Sequence, residues 1–118
     1  MSESETASIL ARLMRLIEQR KAEMPAGSYT TKLLTGGVAK IGRKINEEAA
    51  EVVEAATEPG EAGRQHLIYE AGDLLYHLFV LLAHNQVSLS EVEAELARRE
   101  GVSGLEEKAS RGRADDNE

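Results

Sequence analysis

The stretch INEEAAEVVEAATEPGEAGRQHLIYEAGD, residues 45–73, decides the fold. It holds one acidic cluster at residues 47–51 (EEAAE) and another at residues 70–73 (EAGD). Within each cluster the carboxylates stand three or four residues apart, which places them on one face of a helix. The 18 residues between the clusters include a Pro-Gly turn at 59–60, and are enough for one helix to end and the next to return. The stretch therefore predicts two antiparallel helices whose acidic side chains converge.

Four or five converging carboxylates make an oxygen-only site, which hard divalent cations prefer. No His follows either cluster at the spacing of di-iron carboxylate proteins, so the pattern favours Mg²⁺, or Mn²⁺, over iron. A single Glu-rich face would more commonly be solvated surface. The second cluster, however, belongs to a polar stripe on a largely apolar helix, and such a stripe is costly unless it is paired or ligated. The stripe comprises His66, Glu70, Asp73, His77 and His84.

Histidines such as His77 and His84 form interior hydrogen bonds more often than they bind metal, so we do not count them as predicted ligands.

Apolar residues spaced three and four apart predict the remaining architecture. The predicted helices cover residues 8–23, 38–57, 61–85 and 88–99, and there is no strand-like alternation. The predicted buried stripe of the first is Ile9, Leu10, Leu13, Leu16 and Ile17, and that of the third is Leu67, Ala71, Leu74, Leu78 and Leu81. The fold class is all-α: an antiparallel bundle of four to five helices.

Turn and cap signals mark the helix ends. Ser28 or Thr30 is placed to cap a short helical turn, which the Gly-Gly pair at 36–37 ends. Ser88 and Glu91 have the spacing of a capping box. Residues 101–118 are rich in Gly, Ser and charge, so we predict an all-α domain over residues 1–100 and a disordered tail over residues 101–118.

Composition narrows the possible partners and compartments. With 3% aromatic residues and no Trp, the core is aliphatic and thin, and a core of this kind often completes itself by dimerisation. A net charge of −7 argues against nucleic-acid or anionic-membrane binding. The longest apolar run, residues 74–83, is too short to span a membrane. The acidic N-terminus is unlike a secretory signal, and the absence of Cys fits a cytoplasmic location.

A local reversal of charge precedes the first acidic cluster. Between Pro25 and Asn46 there is no acidic residue. Enzymes that cleave polyphosphates commonly combine a bound metal ion with basic side chains. The Gly-Gly pair at 36–37 would also let the backbone approach a ligand closely. We therefore predict phosphate binding by Lys32, Lys40, Arg43 and Lys44; the alternative is that these side chains are solvated and balance the acidic helices.

Together these strings resemble the all-α nucleoside triphosphate pyrophosphohydrolase (MazG-like) superfamily, and within it the phosphoribosyl-ATP pyrophosphatases. The resemblance covers about residues 9–99. The strings that carry it are SYTTKLL at 28–34, KIGRK at 40–44, EEAAEVV at 47–53 and LIYEAGDLLYHL at 67–78. Asn46 departs from the pattern, since many members have Gly there; it lies outside the expected ligand set.

The resemblance implies Mg²⁺-dependent hydrolysis of phosphoribosyl-ATP to phosphoribosyl-AMP and pyrophosphate, the second step of histidine biosynthesis. It also implies a homodimer. Some members are fused to a cyclohydrolase domain, and because residues 1–118 contain no such domain we expect the stand-alone form. The positions that match the metal ligands are Glu48, Glu51, Glu70 and Asp73, with Glu47 as a further ligand or the base that orients water.

Two alternatives stay open at this point. One is a house-cleaning enzyme of the same superfamily that acts on dCTP, dUTP or damaged nucleotides. The other is a helical dimerisation module with charged faces and no activity.

Overall fold

The computed structural model describes residues 7–101, and over that range it contains four α-helices and no strand. They are α1 (Ile9–Glu23), α2 (Tyr29–Ala55), α3 (Gly60–His84) and α4 (Leu89–Glu100). The all-α prediction is confirmed. The predicted tail, except for Gly101, lies outside the described residues. The chain divides into two compact units, one ending at Val87 and the other beginning at Ser88.

Helix α1 has a well-defined cap at each end. The Ser8 side chain accepts a 3.1 Å hydrogen bond from the backbone N–H of Ala11, and Met24 ends the helix in the left-handed conformation. The buried face holds Met14 and Ile17. The predicted stripe was wrong for three residues, because α1 carries apolar side chains on more than one face and only one face meets α2 and α3. The exposed three are Ile9, Leu10 and Leu16.

Helix α2 consists of two helical segments joined at a kink. Ser28 caps the first segment by accepting a hydrogen bond from the N–H of Thr31, as predicted. Gly37 then adopts φ 72° and ψ −167°, which is non-helical, and this left-handed φ favours glycine. The predicted break is thus a change of direction within α2. It lets the first segment bury Thr30, Leu33 and Leu34.

A tight turn between α2 and α3 sets the register of the helical hairpin. Only residues 56–59 separate the two helices, which pack against each other more extensively than any other pair. Gly63 of α3 lies so close to the Glu58 carbonyl that a Cβ atom there would overlap it. The same turn brings the inner faces of the two acidic clusters together.

Helix α3 is central to the first unit but is not buried all round. Phe79, Val80 and Ala83 are buried. Leu78 of the predicted stripe is 38% exposed and Leu75 is 39% exposed, because α1 and α2 cover only part of the circumference of α3. No helix within residues 7–101 has the length and apolar character needed to cross a membrane.

Lys21 of α1 secures the C-terminal end of α3. Its Nζ atom donates a 2.7 Å hydrogen bond to the carbonyl of Ala83. The same carbonyl also accepts a 3.0 Å hydrogen bond from the N–H of Gln86, and a cation at this end of a helix interacts favourably with the helix dipole.

Helix α4 begins at the predicted Ser88 cap. The Ser88 hydroxyl accepts a 3.2 Å hydrogen bond from the N–H of Glu91 and lies 3.1 Å from the Glu91 carboxylate. In a standard capping box the Glu carboxylate accepts a hydrogen bond from the backbone N–H of the cap residue. Here the Glu91 carboxylate accepts from the Ser88 hydroxyl instead. Further along α4, the Arg98 and Arg99 guanidinium groups hold the pKa of Glu95 at about 2.

Candidate metal centre

The centre of the site is Glu48, a carboxylate that is only 5% exposed on the inner face of α2. It belongs to two groups of side chains whose potential ligand atoms all lie within 4.8 Å of one another. The helical hairpin thus brings together all four residues that the sequence marked as metal positions. The first group is Glu48, Glu51 and Glu70, and the second is Glu48, Asp73 and His77.

Two oxygens in this cluster lack a hydrogen-bond partner within the described part of the chain. They are Glu48 Oε2 and Glu70 Oε1, and both are buried. A buried carboxylate oxygen without a partner costs free energy, and such an orphan in a folded protein calls for an explanation such as a bound ion. A divalent cation fits, because it would give both oxygens a partner and offset the repulsion between the carboxylates.

The same crowding changes the acidity of Glu48. Burial first, and then the neighbouring carboxyl groups of Asp73 and Glu51, raise the pKa of Glu48 to about 7. Desolvation and nearby like charge both disfavour the ionised form. Glu48 therefore binds a proton more readily than an ordinary carboxylate does, and a cation bound here would compete with that proton.

His66 bridges the α2–α3 turn and the cluster. Its Nδ1 lies 2.8 Å from Glu58 Oε1, and its Nε2 lies 3.0 Å from Glu70 Oε2. The two carboxylates, Glu58 first, raise the pKa of His66. One oxygen of Glu70 is thus bonded to His66, while the other is the orphan described above.

His77 joins the cluster to the start of α2. Its Nδ1 is 2.8 Å from the backbone carbonyl of Asp73 and its Nε2 is 3.0 Å from the Tyr29 hydroxyl. Because a carbonyl only accepts, Nδ1 carries a hydrogen; in the neutral ring Nε2 is then an acceptor, and Tyr29 donates to it. Beside this bond, the hydroxyls of Thr30 and Tyr76 also share a hydrogen bond.

The four basic residues predicted to bind phosphate differ in whether they contact the carboxylate cluster. Lys44 Nζ lies 3.2 Å from Glu47 Oε2 and 3.9 Å from Glu48 Oε1, and its hydrogen bond to Glu47 raises the pKa of Lys44. Glu47 itself is exposed and lies outside both carboxylate groups. Among residues 7–101, Lys32, Lys40 and Arg43 form no ion pair, so their predicted phosphate binding stays a prediction.

The polar stripe of α3 divides in two. His66, Glu70, Asp73 and His77 meet at the centre. His84 does not join them; its Nδ1 lies 2.9 Å from the Asn85 side-chain oxygen, and its ring lies beside Gly37. His77 is the interior hydrogen-bonding group that the sequence suggested.

Sequence reasoning missed the contacts of Tyr29 and His66. The spacing of His66 to Glu70 was a signal for their bond, since residues four apart meet on a helix. No local signal places Tyr29 at His77, because that contact depends on the kink at Gly37.

A hairpin of antiparallel helices with carboxylates gathered on its inner face is the arrangement that the resemblance to the all-α nucleotide pyrophosphohydrolases implies. Within that class, a family model described as phosphoribosyl-ATP pyrophosphohydrolase matches residues 10–100. The chain belongs to the phosphoribosyl-ATP pyrophosphohydrolase family.

Similar proteins agree with this assignment. The chain is 67% identical over 102 residues to the phosphoribosyl-ATP pyrophosphatase of Rhodopirellula baltica, which covers 86% of this chain and 85% of the relative. It is 50% identical over 107 residues to that of Novosphingobium aromaticivorans, covering 91% and 97%. Identity to that of Dinoroseobacter shibae is 52% over 104 residues, covering 88% and 99%. The resemblance inferred from the sequence strings is confirmed.

Proposed function

We propose that this chain hydrolyses phosphoribosyl-ATP to phosphoribosyl-AMP and pyrophosphate, the second step of histidine biosynthesis, with Mg²⁺ as cofactor and Mn²⁺ as a possible substitute. The observation that carries the proposal is the buried Glu48, which stands at the overlap of two carboxylate groups and has an orphaned oxygen. The family of the chain supplies the substrate.

In this proposal the metal ligands are Glu48, Glu51, Glu70 and Asp73. When bound, the cation offsets charge on the phosphate oxygens and lowers the pKa of a water molecule. Glu48 and Glu70 each bring a buried, unpartnered oxygen to the site. Asp73 is set in place by its turn of α3, where the His77 ring bonds to its backbone carbonyl.

Glu47 is the residue we assign to orienting the attacking water. It is exposed beside the carboxylate cluster, where a substrate phosphate can reach it. Glu47 accepts a proton from the water as the water oxygen bonds to one phosphorus of the α–β anhydride. The bond between that phosphorus and the bridging oxygen breaks, and the products are phosphoribosyl-AMP and pyrophosphate. Lys44 lies 3.2 Å from Glu47, so it can hold a phosphate oxygen next to the same water.

The basic segment before the cluster is assigned to the polyphosphate. Cations at this position spread the negative charge that develops during phosphoryl transfer. Lys44 is already in contact with the cluster. Its proposed companions are Lys32, Lys40 and Arg43, which flank the kink at Gly37 and carry no competing ion pair within residues 7–101.

We further propose that the enzyme is a cytoplasmic homodimer with no nucleic-acid partner. Several large apolar side chains of α3 are exposed in the single chain. An exposed apolar surface of this kind is commonly buried in an interface with a second copy of the same chain. They are Ile68, Leu75 and Leu78. Sedimentation analysis that finds only monomer at micromolar concentration would reject this part of the proposal.

The activity is tested by measuring pyrophosphate release from phosphoribosyl-ATP, dCTP and dUTP, each with Mg²⁺ and with EDTA. We expect rapid turnover of phosphoribosyl-ATP only, abolished by EDTA. Glu51→Gln and Asp73→Asn should each reduce the rate by orders of magnitude, because ligands of one metal act as a unit. Glu54→Gln, on an exposed position of α2, is the matched control. Preferential turnover of dCTP or dUTP would identify a house-cleaning enzyme instead, and no turnover of any nucleotide would support a non-enzymatic module.

A further inference from the structure

We infer that His66 is a positioning residue that restricts Glu70 to offering one oxygen to the metal site, and that it thereby favours Mg²⁺ over Ca²⁺. This inference rests on the proposed function, since it concerns the same cation site.

The two carboxylate oxygens of Glu70 differ in their surroundings. Oε2 lies 3.0 Å from His66 Nε2, whereas Oε1 is buried and has no partner within the described residues. An ionised carboxylate only accepts hydrogen bonds, so the hydrogen of this bond sits on His66 Nε2. While the bond lasts, one lone pair of Oε2 is engaged and Oε2 is held toward His66. Oε1 is then the unpartnered oxygen of a carboxylate that belongs to the cluster.

The ring of His66 is itself held from the opposite side. Its Nδ1 lies 2.8 Å from Glu58 Oε1, and Glu58 belongs to the tight turn against which Gly63 packs. His66 therefore cannot rotate away from Glu70 without losing a second hydrogen bond. The turn that fixes the register of the hairpin also fixes the orientation of a carboxylate in the site.

The number of oxygens that Glu70 offers bears on the choice of cation. Mg²⁺ requires near-ideal octahedral geometry, for which single oxygens from several carboxylates are suited. Ca²⁺ accepts six to eight oxygens and commonly takes both oxygens of one carboxylate. A hydrogen bond that withholds Oε2 thus penalises Ca²⁺ more than Mg²⁺.

The test is titration calorimetry of Mg²⁺ and of Ca²⁺ into the metal-free protein at one fixed pH. His66→Leu keeps the bulk and removes the donor; we expect it to shift the ratio of Mg²⁺ to Ca²⁺ affinity toward Ca²⁺ by about tenfold. His66→Gln should keep the wild-type ratio, because a Gln on a helix of this chain reaches a Glu four residues on, as Gln19 does to Glu23. Gln65→Leu, which removes the neighbouring bond to Glu61, is the matched control and should change nothing.

The outcomes separate the two claims. Wild-type protein that binds Mg²⁺, together with a His66→Leu variant whose affinity ratio is unchanged, overturns the role of His66 and leaves the proposed function standing. Wild-type protein that binds no Mg²⁺ overturns the proposed function itself. If His66→Leu did not fold by circular dichroism, His66→Asn, whose side chain is one methylene shorter than that of Gln, would replace it with the same expected shift.

Discussion

The Tyr29 hydroxyl donates a 3.0 Å hydrogen bond to the buried ring of His77, and so ties the first turn of α2 to the middle of α3. His77 in turn holds the backbone carbonyl of Asp73. A chain of two hydrogen bonds therefore runs from the exposed edge of Tyr29 to a proposed metal ligand. The contact exists because the kink at Gly37 turns the start of α2 toward α3.

We predict that Tyr29→Phe lowers the free energy of unfolding by about 1–3 kcal/mol, because it leaves the buried Nε2 atom of His77 without a donor. Urea denaturation measures the loss. Tyr69→Phe is the matched control, since Tyr69 is 71% exposed and its hydroxyl faces water. Equal stability of the two variants would mean that the Tyr29 bond contributes nothing.

The raised pKa of Glu48 predicts a pH-dependent stability in the metal-free protein. With a pKa of about 7 when folded against an ordinary 4.5, Glu48 binds a proton more tightly in the folded state than in the unfolded chain. Stability should therefore fall as the pH rises from about 4.5 to about 7. His66 acts in the same direction: its pKa is also raised, so its contribution is lost as the pH rises through the folded value.

Comparison with Glu48→Gln isolates the Glu48 contribution. In EDTA, the stability of the wild type relative to this variant should decline between pH 5 and pH 8. Added Mg²⁺ should reverse the decline, because binding requires the proton to leave and so strengthens as the pH rises. Parallel stability curves for the two proteins across this range would show that Glu48 titrates normally.

The close approach at the α2–α3 turn makes a further prediction. Gly63→Ala should destabilise the protein by about 1–3 kcal/mol, as overpacking does, because its Cβ atom would overlap the Glu58 carbonyl. Gly42→Ala, in a helical position with nothing within 4 Å of the added atom, should be neutral or slightly stabilising. Thermal unfolding compares them, and a Gly63→Ala variant as stable as Gly42→Ala would show that the turn has room to relax.

The hairpin and its acidic centre were predictable because their signals are local. Helical spacing gave the faces of Glu48, Glu51, Glu70 and Asp73, and the Pro-Gly turn gave the reversal of direction. The serine caps at Ser28 and Ser88 likewise follow from neighbouring residues. Each of these features depends on residues within one helix or one turn.

The remaining features depend on distances that only the folded chain sets. Gly37 could be recognised as a break, but the direction of the kink, and with it the contact of Tyr29 with His77, follows from its ψ of −167°. Periodicity also could not say which apolar face of α1 would be covered. It placed Leu16 with Ile17 in the buried stripe, whereas Leu16 is 44% exposed and Ile17 is 1% exposed.

Binding of a divalent cation by the carboxylates around Glu48 can be measured by calorimetric titration of Mg²⁺ into the metal-free wild type, Glu48→Gln and Glu54→Gln at pH 8. We expect saturable binding to the wild type and to Glu54→Gln, with affinity reduced by at least about tenfold in Glu48→Gln. Equal binding by all three folded proteins would contradict this expectation.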